Sequence, residues 1–176
     1  MPGAVQHVAA TLIEKAAADL AAESRAMPEE NARWIPAPDA RPALEQIVEC
    51  ALANVMWSNI LRTHVHALLP EGVAERAYET LDTVEKATER LLASARTLAE
   101  VIRALDPKEL GVVVPFPWNP DAGRPLAECC FHPYWNMVYH QGQIAYIQTL
   151  YGGREVHSDA GPFGESPVPE RTSSPS

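Results

Sequence analysis

Three observations in the sequence predict an all-α protein, a bundle of four helices with long loops between the first and second and between the third and fourth. Four stretches carry apolar residues at three- and four-residue spacing, the period of a helix with one face against a core. Clusters of proline and glycine separate those stretches. Signals for strands are nearly absent, so helices must bury their apolar faces against one another. With 176 residues the chain fits one domain with a real core rather than two small ones.

The first helix is expected from about Val5 to Ser24, where Val5, Val8, Leu12, Ile13, Ala16 and Leu20 line up on one side. Met27-Pro28 ends it, and the stretch from Asn31 to Pro42 holds Pro36, Pro38 and Pro42, which bar a helix there. Pro42 suits the first turn of a second helix, whose missing N–H would be unpaired in any case. That helix should run to about Leu68, with Leu44, Ile47, Val48, Ala51, Leu52 and Val55 inward and Glu45 and Glu49 outward, until Pro70-Glu71-Gly72 stops it. The third, from about Tyr78 to Leu105, repeats Val84, Leu91, Leu98 and Leu105 every seventh residue, as a packed seam does.

Residues 106–124 read as a long connection. Its three valines suit a short extended piece, while Pro115, Pro117 and Pro120 argue against a full strand. The fourth helix is expected from about Pro125 to Tyr151, with a kink or restart near His132 because Pro133 lies inside it. The domain should therefore span residues 1–153. Residues 154–176, rich in proline and serine, are expected to be a flexible tail.

The net charge of -9, with 14 basic against 23 acidic residues, argues against nucleic acid as a partner and against an anionic membrane surface. No apolar run is long enough to span a bilayer and no basic segment leads into an apolar one at the N-terminus, so a cytoplasmic location is the expectation. Three cysteines do not make a disulfide framework, and the adjacent Cys129 and Cys130 read as small buried hydrophobes.

Candidate chemistry gathers on the fourth helix. Its inward stripe is expected to hold Cys129, Pro133, Asn136, His140, Ile144, Ile147 and Tyr151. Asn136 and His140 are four apart, so both can reach one point on an apolar face. Burial makes each of them need a partner. A hydrogen-bonded core pair and a metal or ligand site between helices both satisfy that need. His132 lies too far along the helix to share an ion with His140, and His64 and His66 read as surface residues near the end of the second helix. Cys50 has three readings: inert core, metal ligand, or a thiol activated by His140. Carboxylate pairs such as Glu45/Glu49 and Glu85/Glu89 read as solvated helix faces, and the four tryptophans as core or as the rim of a site.

The run Asn136-Met-Val-Tyr-His140-Gln-Gly-Gln143-Ile resembles the last-helix motif of the DinB/YfiT-like metalloenzymes, His-x-x-x-His-Arg-Gly-Gln-Ile. The stretch Trp34-Ile-Pro-Ala-Pro followed by Arg41-Pro-Ala-Leu-Glu-Gln-Ile-Val-Glu-Cys50 is similar to the segment leading into that family's second helix. The resemblance implies a four-helix bundle with a divalent metal, Zn or Ni, held by three histidines. At those positions this chain has Cys50, Asn136 and His140, so only one histidine remains. A thiolate suits Zn²⁺, whereas an amide oxygen is a poor ligand for it. The resemblance implies metal-dependent hydrolase or thiol-dependent transferase chemistry, some relatives using low-molecular-weight thiols. The departures at Cys50 and Asn136 give the alternative, a metal-free binding or structural bundle whose Cys50/Asn136/His140 cluster is a pocket for a small-molecule ligand or a satisfied polar core. The resemblance also implies a homodimer, which many relatives form. The Gly142-Gln143 pair fits close helix packing at Gly142 as well as retention of the scaffold. The loop at Trp34 and the 106–124 connection are expected to shape the entrance.

Overall fold

The computed structural model describes residues 3–152, so the tail expected over residues 154–176 lies outside the described part. The described chain is mostly helical, with one small antiparallel sheet. Four long helices dominate: α1 (Ala4–Arg25), α3 (Ala43–Thr63), α5 (Val84–Ala104) and α7 (His132–Leu150). Shorter ones are α2 (Glu29–Ala32), α4 (Val73–Thr80) and α6 (Leu126–Cys129). Helix α1 packs on α5 and α7, and α3 packs on the same two, so each long helix has two main neighbours.

The core follows from the apolar spacing. Ile13 and Leu20 on α1, Ile47 and Ile60 on α3, Leu91, Leu98 and Ile102 on α5, and Met137 and Ile144 on α7 are all fully buried. Each such side chain contributes about 1.5–3 kcal/mol relative to its exposed state. Polar bonds fix the register between helices. Arg103 grips Glu14 through both guanidinium nitrogens, at 2.9 and 2.5 Å, joining α5 to α1. Gln148 Nε2 donates to Glu23 Oε1 at 2.7 Å, joining α7 to α1.

Several boundaries depart from the sequence reading. Helix α3 stops at Thr63, seven residues before Pro70, because His64 adopts a left-handed conformation (φ 56°) and its N–H closes on the Ile60 carbonyl. The third helix is divided: α4 ends at Thr80, and α5 begins anew after Thr83, whose side chain accepts from the Lys86 N–H at 3.3 Å. The stretch expected to be non-helical from Asn31 on begins inside α2, which needs no proline-free run longer than one turn.

The 106–124 connection is a hairpin, with β1 (Val113–Phe116) antiparallel to β2 (Asn119–Pro125). Its prolines are tolerated because a two-stranded sheet consists of edges, where a missing N–H can face away from the ladder. Gly123 makes the pairing feasible: a Cβ there would lie 2.5 Å from the Val114 carbonyl oxygen. The expected restart near His132 is present, since α6 ends at Cys129 and α7 begins at His132 with Pro133 in its first turn.

Candidate functional site

One buried polar cluster lies where α3 meets α7, and His140 is its centre. His140 is 2 % exposed, and both of its ring nitrogens face protein oxygens. Nδ1 lies 2.9 Å from Gln143 Oε1 and 3.1 Å from Gln46 Oε1. Nε2 lies 3.2 Å from Glu49 Oε1. The amide orientations are set from outside, because Gln46 Nε2 donates to the Arg41 carbonyl at 3.0 Å and Gln143 Nε2 donates to Tyr139 Oη at 3.2 Å. Their oxygens are thus left to accept from His140, which fixes the proton on Nδ1.

The other nitrogen then presents a lone pair to a carboxylate, a contact that is attractive only when a proton lies between the two groups. Burial holds the imidazole below its ordinary range, with the Arg41 guanidinium acting the same way and the Gln143 hydrogen bond opposing them. Arg41 also pairs directly with Glu49, which draws the carboxylate charge away from the ring.

Local sequence explains the assembly. Gln46 and Glu49 are three apart on α3, and Gln143 follows His140 by three on α7, so both pairs sit on facing helix surfaces. Arg41 stands just before α3 on the proline-rich approach. Beside the cluster is a cleft of about 480 Å³, walled by that approach (Pro36, Asp39, Arg41), by Gln46, and by Gln143, Tyr146 and Leu150 of α7. The stretch after Trp34 thus walls the cleft, while Trp34 itself does not line it. The hairpin packs elsewhere, over His66 and the start of α7, and is not part of this cleft.

The three residues singled out in the sequence have different fates. His140 is central. Cys50 is wholly buried, and burial pushes its thiol up to about 12, only partly offset by Arg41. Burial disfavours the thiolate, which weighs against the activated-nucleophile reading. Asn136 is half-buried, and its Oδ1 is enclosed without a hydrogen-bond partner. Among the described residues, no group of three or more His, Cys, Asp and Glu side chains is arranged to hold a metal ion. The Glu49–His140 pair offers two donors where a Zn²⁺ site takes three or four from the protein. The residues present therefore do not fit the three-imidazole metal that the resemblance implies.

Other expectations change. Glu49, read as solvated, is an inward partner of His140, while Glu45 is exposed as expected. Gln46 and Gln143 were not singled out as His140's partners; a glutamine amid the apolar arc of α3 was the available signal. Gly142 does not serve helix packing within the chain, since a Cβ there would meet nothing within 4 Å. His66 is not a free surface residue: its Nδ1 is enclosed, and its ring stands edge-on to Trp57 and Trp118. His132 accepts from Arg124 at 2.6 Å, and its ring lies tilted at 4.7 Å from that of Trp57.

A mostly helical chain with a polar site between its second and last long helices defines the class of protein. The chain belongs to the DinB superfamily, whose family model matches residues 12–144, more than half of its length. No curated protein matches the sequence. No helix among the described residues is long and apolar enough to cross a membrane.

Proposed function

We propose that this chain is a four-helix DinB-type bundle that binds a small molecule in the cleft beside His140, with a hydrogen-bond centre where the resemblance to the DinB/YfiT-like enzymes implies a metal. The observation that carries the reading is the engagement of both His140 ring nitrogens by Gln46, Gln143 and Glu49. An imidazole held this way orients two amides, and those amides form part of the cleft wall. The cleft combines Gln46, Gln143 and Arg41 with the apolar sides of Pro36, Tyr146, Ile147 and Leu150. Such a lining suits a small, partly apolar molecule with one polar end.

A metal-assisted hydrolase or thiol-dependent transferase is the second reading. The enclosed, unpartnered Asn136 Oδ1, one turn before His140, favours it, because an orphaned acceptor asks for a donor or a cation. The amide oxygen of Asn136, a weak ligand, weighs against it.

Thermal-shift titration with low-molecular-weight thiols and small monocarboxylates tests the binding reading. A saturable rise in Tm that disappears in Gln143→Leu is the expected result. A rise that persists unchanged in Gln143→Leu places the ligand elsewhere and contradicts the assignment of this cleft.

A further inference from the structure

We infer, resting on the cleft proposed above, that its ligand is a free α-amino acid with a large apolar side chain, the carboxylate on Arg41 and the ammonium group on Asp39. The basis is a pair of opposite charges in one cleft that do not bond to each other. Arg41 and Asp39 both line the cavity of about 480 Å³. Arg41 pairs with Glu49 instead. Asp39 has no hydrogen-bond or ion-pair partner among the described residues.

The backbone holds both charges in place. Residues Ala37 to Ala40 form a tight turn, closed by the Ala40 N–H on the Ala37 carbonyl at 3.0 Å, with Pro38 and Asp39 at its corners. Proline fixes φ at the first corner, so Asp39 stands on a preset turn. The Arg41 carbonyl accepts from Gln46 Nε2 at 3.0 Å, and Glu49 occupies its Nη1. A guanidinium has five N–H donors in all, so the remaining ones of Arg41 are open to an anion. The two amides of the cleft wall add donors. Gln46 and Gln143 each spend one Nε2 hydrogen within the chain, on the Arg41 carbonyl and on Tyr139 Oη, and each keeps a second.

Charge then selects the ligand. A fatty acid would satisfy Arg41 but bring its carboxylate beside that of Asp39. An alkyl amine would bring its cation beside Arg41. A molecule that carries both charges on neighbouring atoms avoids either opposition. The other wall selects the side chain. Pro36, Tyr146, Ile147 and Leu150 supply apolar surface, and Tyr146 is 62 % exposed, open for a second ring to pack on. Glycine or alanine would leave most of such a cavity to water, whereas a large apolar side chain covers that wall.

Isothermal titration calorimetry on the full chain tests the inference with three matched probes: L-phenylalanine, hydrocinnamate, which lacks the amine, and phenethylamine, which lacks the carboxylate. Phenylalanine is expected to bind about fivefold more tightly than hydrocinnamate, the worth of one exposed ion pair, and about tenfold more tightly than phenethylamine. Asp39→Asn changes an exposed side chain, so circular dichroism should not change while the preference for phenylalanine over hydrocinnamate disappears. Equal affinities in the wild type overturn the inference, as do a preference that survives Asp39→Asn and an absence of phenylalanine binding. Gln143→Leu separates this inference from the cleft reading. Hydrocinnamate that binds as well as phenylalanine, and is lost in Gln143→Leu, overturns the amino acid and leaves the cleft. Phenylalanine binding that is unchanged in Gln143→Leu overturns both.

Discussion

His140 holds two amide oxygens in place through Nδ1, so its loss leaves more behind than a hole. In His140→Ala the Gln46 and Gln143 oxygens lose the Nδ1–H they share. Stranded polar groups of that kind cost about 1–3 kcal/mol, to which the cavity adds. Urea unfolding should therefore show a loss of at least about 2 kcal/mol, and a loss under about 0.5 kcal/mol would mean the network is not formed. Cys50 makes the complementary case. A thiol at about 12 and without exposure should resist iodoacetamide in the folded chain and react once denatured. Rapid labelling of Cys50 in the native state would contradict its placement. His140 was legible as a site residue because a lone histidine on an apolar stripe is conspicuous. Glu49 was not, since Glu45 and Glu49 share a helical spacing and only the rotation of α3 against α7 turns one of them inward.

At the scale of elements, the breaks carry the testable content. Thr83 starts α5 by accepting from the Lys86 N–H, and Thr83→Ala should destabilise the chain by about 1 kcal/mol, read as a lower urea midpoint at constant slope. Gly123→Ala should disturb the hairpin, because its Cβ would collide with the Val114 backbone. Trp118, stacked 5.0 Å from Phe116 at the hairpin's end, should report this as a shift in fluorescence. The four long helices were readable from their 3.6-residue period. The division of the third was not, because the heptad of Val84, Leu91, Leu98 and Leu105 says nothing about where a helix begins. The hairpin was missed for a different reason: prolines mark a central strand as unfavourable, yet a two-stranded sheet has no central strand.

The whole molecule should lose stability in acid. Burial, with Arg124 and His66, holds His132 below the ordinary imidazole value of 6.5, and burial with Arg41 does the same for His140. As pH falls through 6.5 the unfolded chain takes up protons before the folded one, so the contribution of both neutral rings is present above that value and lost below it. Urea midpoints should drop between about pH 7.5 and about pH 5.5, and His132→Asn should flatten that slope. The central claim is that the α3–α7 site is a hydrogen-bond centre built on His140. Elemental analysis of the untagged chain, before and after equilibration with Zn²⁺ and Ni²⁺ and beside Cys50→Ala and His140→Ala, tests it most directly. Metal well below one ion per chain, with no stoichiometric uptake and no difference among the three proteins, is the result predicted. Near one ion per chain in the wild type, lost in both variants, would contradict it and return the site to the metal chemistry of its family.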